Sequence, residues 1–94
     1  MVLTIKFVGA LRHITGKTKL TLDVEKEISV KELLAKISKQ TPKLETSFGD
    51  PQGADSMSNA LILVNGREIG VLGGLETLLN DGDEVVFVPI VHGG

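Results

Sequence analysis

The chain opens on an alternation. Across residues 2–8, Leu3, Ile5 and Phe7 fall on one side and Val2, Thr4, Lys6 and Val8 on the other, the period of a half-buried strand. Residues 19–24 repeat it with Leu20, Leu22 and Val24 inward. Gly16-Lys17 supplies turn chemistry between them, which predicts a hairpin with a long loop. The period then lengthens. Val30, Leu33, Leu34 and Ile37 recur at i, i+3, i+4 and i+7, one apolar stripe along a helix. Ser29 is its N-cap, Glu32 three residues later completes a capping box, and Ile28 is placed to staple onto Leu33. Pro42 ends this helix near Gln40, and Leu44 and Phe48 extend a second helical turn onto the same core.

Residues 49–59 hold Gly, Pro, Asp, Ser and Asn and read as a surface loop. Residues 60–64 are continuously apolar, a strand covered on both faces. Asn65-Gly66 is a type I′ hairpin signal leading into residues 67–69. Gly73-Gly74 breaks the chain, Leu75, Leu78 and Leu79 predict one short helical turn, and residues 80–83 form another turn. Residues 84–90 are the last strand, with Pro89 at an edge or terminal position. This order predicts an α+β domain: a mixed sheet with one main helix packed on one face. The first and last strands both look buried, so they belong side by side at the sheet centre. If Val85 and Phe87 face the helix, Val86 and Val88 face away from it, sharing that side with Val2 and Val8 and rimmed by Thr4 and Lys6. One helix covers one side of a sheet, so an apolar partner-binding patch of Val86, Val88 and Ile90 is expected, unless loop 49–59 covers it.

Composition narrows the function. At 94 residues the chain is one domain, 1–94, with little room for a deep cleft. The absence of cysteine excludes a disulfide framework, a thiolate metal site and a cysteine nucleophile. No apolar stretch approaches the ~20 residues of a membrane span, and Lys6 interrupts the apolar N-terminus as no secretory signal would. A cytoplasmic location is expected. The net charge is −2, the basic residues are scattered, and there are three Phe but no Tyr or Trp, which argues against direct nucleic-acid binding. Gly16-Lys17-Thr18 resembles the end of a phosphate-binding loop, but position 11 is Leu where that motif needs Gly, and a strand follows rather than a helix. Asp81, Asp83 and Glu84 lack calcium-loop spacing, and His13 and His92 stand alone. Neither a bound cofactor nor a metal is expected.

The remaining candidate is the tail, Val91-His92-Gly93-Gly94. Chain ends are often frayed. Two residues without Cβ, however, can thread a narrow channel and leave the terminal carbonyl open. From Pro89 to Gly94 an extended chain reaches at most roughly 20 Å, enough to place the Gly94 carboxylate in a partner's site while the domain stays outside. A flexible tail over 89–94 is expected.

These residues resemble the β-grasp sulfur carriers and ubiquitin-like modifiers, among them the small subunit of molybdopterin synthase, the thiamine sulfur carrier and the ubiquitin-related modifier. The resemblance spans the chain. It is strongest over Asn80-Asp81-Gly82-Asp83-Glu84-Val85, Pro89 and the final Gly93-Gly94, and continues in Val64-Asn65-Gly66-Arg67-Glu68 and Leu72-Gly73-Gly74-Leu75. Molybdopterin-synthase subunits usually end in Pro-Pro-Val, a small residue, then Gly-Gly. Here Pro89-Ile90-Val91-His92 stands instead, and a His before the glycines is more like the ubiquitin-related modifier.

The resemblance implies a β-grasp fold and a mechanism. A separate ubiquitin-activating-type enzyme would use ATP-Mg to adenylate the Gly94 carboxylate, giving AMP as a leaving group where hydroxide is a poor one. A sulfur donor would convert the adenylate to a thiocarboxylate for tRNA thiolation, or the acyl group would pass to lysines of target proteins. The chain itself would be a protein substrate rather than an enzyme, and a monomer when free. One alternative is the sulfur-carrier subunit of molybdopterin synthase, paired with that enzyme's large subunit. Another is a non-covalent ubiquitin-like interaction module, which would need no terminal Gly-Gly.

Overall fold

The computed structural model describes residues 1–41 and 60–90. The helical turn expected at Leu44 and Phe48, the loop 49–59 and the tail Val91-His92-Gly93-Gly94 lie outside them. Among the described residues seven strands and two α-helices follow in order: β1 (Val2–Phe7), α1 (Leu11–Thr15), β2 (Lys19–Asp23), β3 (Ile28–Ser29), α2 (Val30–Gln40), β4 (Ala60–Val64), β5 (Arg67–Glu68), β6 (Leu78–Leu79) and β7 (Glu84–Pro89).

The main sheet has the order β2-β1-β7-β4-β5. The two ends of the sequence meet at its centre, as expected: β1 and β7 run parallel with Ile5 beside Val85 and Phe7 beside Phe87. The Phe7 and Phe87 rings stack with centroids 5.8 Å apart. All other pairs are antiparallel, so the sheet is mixed. The alternation of β1 is kept: Leu3, Ile5 and Phe7 are buried, and so are Val85, Phe87, Ile62 and Val64 on the same face. Helix α2 lies over them, with Val30, Leu33, Leu34 and Ile37 all buried.

The capping box at the start of α2 is complete. Ser29 Oγ accepts from the Glu32 backbone N–H at 3.1 Å, and Glu32 Oε1 accepts from the Ser29 N–H at 3.1 Å. The Ser29 N–H first, and then the Ser29 hydroxyl, which also donates to Glu32 Oε1 at 3.2 Å, hold the Glu32 carboxyl below its ordinary value, with Lys26 and Lys36 adding to the effect. Ile28 joins the same core cluster as Leu33, where a staple residue belongs. Asn65 and Gly66 both take positive φ, 51° and 85°, the mark of a type I′ turn.

Three expectations change. The β1–β2 connection contains the short helix α1, seated on the buried Leu11 and ended by Gly16 in the left-handed region; five residues are too few to show a helical period. Leu78 and Leu79 form no helical turn. Single 310 turns lie at Ile69–Val71 and Gly74–Glu76, and Leu78–Leu79 then pairs with Ile28–Ser29 as a small second sheet. Burying Leu79 there decides the extended form, because β3 offers a strand edge just before α2. Finally, β4 is not covered on both faces: Ala60, Ile62 and Val64 are buried, whereas Leu61 is exposed and Leu63 half-buried. With one main helix among the described residues, only one face of the sheet is sealed.

Candidate functional site

The open face is organised around β7, the strand that leads to the tail. Along it Val85 and Phe87 turn inward, while Glu84, Val86 and Val88 are half-buried on the other side and Ile90 is 41% exposed. The parity predicted for Val86 and Val88 is therefore observed, but they are half-buried rather than fully exposed. The cause is their neighbours: Leu61 stands opposite Val88, and Leu63 opposite Val86. On the other flank Lys6 stands beside Val86, and the Val8 N–H donates to the Phe87 carbonyl at 3.1 Å.

This face is graded. At the start of β7, Lys6 Nζ pairs with Glu84 Oε2 at 2.9 Å. The Asn65 side chain accepts from the Glu84 N–H at 3.0 Å and donates to Asp83 at 2.9 Å. At the exit end the surface is apolar: Val8, Leu61, Val88 and Ile90. Val2 does not belong to this patch, although it shares the face. It lies six residues from Val8, about 20 Å along the strand, on the far side of the Lys6–Glu84 pair. Leu61 and Leu63 are the members that sequence reasoning missed, because a continuous apolar run looks the same whether one or both faces are covered.

The exit itself is braced. Pro89, the last residue of β7, stands opposite Ala60, so the ordered strand reaches one residue into the expected 89–94 tail. It has no N–H for the ladder with β1, and β1 has already turned away at Gly9 toward α1. Pro89 thus takes the terminal position expected of it. Among the described residues no cluster of three or more His, Cys, Asp or Glu could hold a metal, and no helix is long and apolar enough to cross a membrane. What the arrangement provides is a central strand that carries Val86 and Val88 on the open face and is the last element before the segment that ends at Gly94.

The ThiS family model matches residues 5–94, from β1 through the final Gly-Gly. The chain belongs to the ThiS family. Within reach of this ThiS-family chain, a protein of Archaeoglobus fulgidus named for a sulfur-carrier role is 40% identical over 75 residues, which are 80% of this chain and 83% of that protein. Small archaeal modifier protein 3 of Haloferax volcanii is 28% identical over 94 residues and covers 100% of both chains. Among solved structures, small archaeal modifier protein 1 of Methanosarcina acetivorans has a TM-score of 0.79 at 32% identity, covering 99% of this chain and 96% of that one. The ThiS-family fold is the expected β-grasp, and the chain is a ubiquitin-like sulfur carrier or modifier, a carrier rather than a catalyst.

Proposed function

We propose that this protein works through the carboxylate of Gly94, which a separate ubiquitin-activating-type enzyme adenylates with ATP-Mg in the cytoplasm. Adenylation replaces a hydroxide-like leaving group with AMP and releases pyrophosphate. Hydrosulfide from a sulfur donor then attacks the acyl carbon and expels AMP to leave a thiocarboxylate, for tRNA thiolation, or a lysine amine of a target protein expels the leaving group and forms an isopeptide bond. Gly93, His92 and Val91 form the slender lead that enters the enzyme, and Val86, Val88 and Ile90, now joined by Leu61 and Val8, form the surface it grips. The chain binds no nucleotide of its own in this scheme.

The observation that carries the reading is the place of β7 in the chain. It bears Val86 and Val88 on the open face and is the last strand before the Gly-Gly segment, so a partner holding Gly94 must lie within roughly 20 Å of Pro89, the end of the sheet at which Val8, Leu61 and Ile90 are exposed. ATP–pyrophosphate exchange by the activating enzyme from the same cells tests it. Exchange should require Gly94 and vanish on its deletion or on addition of one residue beyond it. Intact mass of the protein from its native cells should show one oxygen replaced by sulfur. Unchanged exchange without Gly94 would overturn the reading and leave the interaction module.

A further inference from the structure

The segment that leaves β1 touches the strand that feeds the tail. Gly9 has φ +62°, and a Cβ built on it would lie 3.2 Å from Pro89 Cγ and 3.6 Å from Cδ. Its carbonyl accepts from the Arg12 N–H at 3.1 Å, which ties it to α1, and α1 is anchored by the buried Leu11. On its other side the Val8 N–H holds the Phe87 carbonyl. Gly9 therefore stands beside Pro89, at the point where the chain leaves the sheet, with no room for a Cβ unless the ring gives. Gly16 makes a natural contrast. It too is left-handed, at φ +73°, but no described atom lies within 4 Å of its Cβ direction.

We infer that Gly9 is a positioning residue for activation: lying against Pro89, it sets the direction in which the chain leaves β7, and so where the Gly94 carboxylate arrives in the partner's site. This rests on the Gly94 reading above. A Cβ at this position requires Pro89 to give by a few tenths of an ångström. Such a shift over one residue spacing tilts the chain by about 5° where it leaves the sheet at Ile90. Where reacting atoms must meet, a misplacement of about 1 Å costs up to about a hundred-fold.

The test compares Gly9→Ala with Gly16→Ala. Both place a Cβ in the left-handed region and should lower the melting temperature; only the first also presses on Pro89, so its loss should be the larger. In pyrophosphate exchange Gly9→Ala should lower kcat by about ten-fold and leave KM for this protein within about two-fold, because the apolar face still docks. Gly16→Ala should change neither. By NMR, Gly9→Ala should shift the Ile90 amide and alter its heteronuclear NOE, and Gly16→Ala should not. On a Pro89→Ala background, Gly9→Ala should have no further effect on either readout, since the opposing ring is gone. An unmoved Ile90 amide, equal kcat losses in the two glycine variants, or full additivity with Pro89→Ala would overturn the inference. If the parent protein is not activated at all, the Gly94 reading fails, and the Ile90 measurements still decide whether Gly9 directs the exit.

Discussion

Val88→Asp separates the stability of the open face from its use. Val88 is half-buried, with Leu61 opposite it and Val8 on the other flank. Fully burying a valine is worth about 1.5–3 kcal/mol, so losing half of it costs about 1 kcal/mol. The poor strand propensity of Asp adds up to about 1 kcal/mol. Lys6, the basic residue beside Val86, is already paired with Glu84 at 2.9 Å, so the new carboxylate gains little from it. A loss of about 1–2 kcal/mol lowers the melting temperature of a domain this size by about 5–15 °C. The effect on activation should be larger in kind: desolvating an unpaired carboxylate at an interface costs several kcal/mol, so KM in pyrophosphate exchange should rise at least about ten-fold, or ~1.4 kcal/mol, at a temperature where the variant is folded. Val2→Asp is the control, since Val2 lies on the same face beyond the Lys6–Glu84 pair; it should leave KM unchanged. A stability loss above about 4 kcal/mol, the cost of disrupting a core site, would show that Val88 faces the core. A folded Val88→Asp protein with parental kinetics would place the interface elsewhere, and equal KM effects at Val2 and Val88 would dissolve the graded face.

Other outcomes follow from the same packing. Leu33 is 0% exposed beneath α2, so Leu33→Ala should cost ~2–5 kcal/mol in urea unfolding; a midpoint like the parent's would refute the helix phase. Ser29→Ala removes the cap seen at 3.1 Å from the Glu32 N–H and should cost about 1 kcal/mol, read as a fall in the thermal midpoint. Because Glu32 titrates below its ordinary 4.5 in the folded protein, its contribution is fully present above that value and is lost as pH falls through the lower folded one. The stability gap between the parent and Glu32→Gln should therefore close on acidification below 4.5, and a pH-independent gap would contradict the capping bond. Deleting Gly94 should abolish pyrophosphate exchange and leave the melting temperature unchanged, whereas Gly93→Ala should slow transfer through its added Cβ.

What could be read from the sequence was whatever a period of 2 or 3.6 residues writes over a long enough run. The β1 alternation, the α2 stripe with its Ser29 and Glu32 box, and the Asn65-Gly66 turn all stand in the structure where the pattern put them. The misses share one cause: they depend on what the rest of the chain brings alongside. Residues 11–15 are too short for a period, and become a helix because Leu11 finds the core beside β1 and β7. Leu78-Leu79 has the composition of a helical turn, and becomes a strand because β3 offers an edge at Ile28–Ser29. Leu61 and Leu63 carry the same consequence into function. Their side chains differ little from those of Ile62 and Val64, and nothing local marks them as outward; only the register against β7 sets Leu61 beside Val88 and Leu63 beside Val86. A strand apolar on both faces, in a sheet that one helix seals on one side, must present its second face to water or to a partner. Keeping leucine there in place of the polar residues that normally alternate with a core makes sense if the face spends part of its working life covered, and the strand it flanks is the one that delivers the tail.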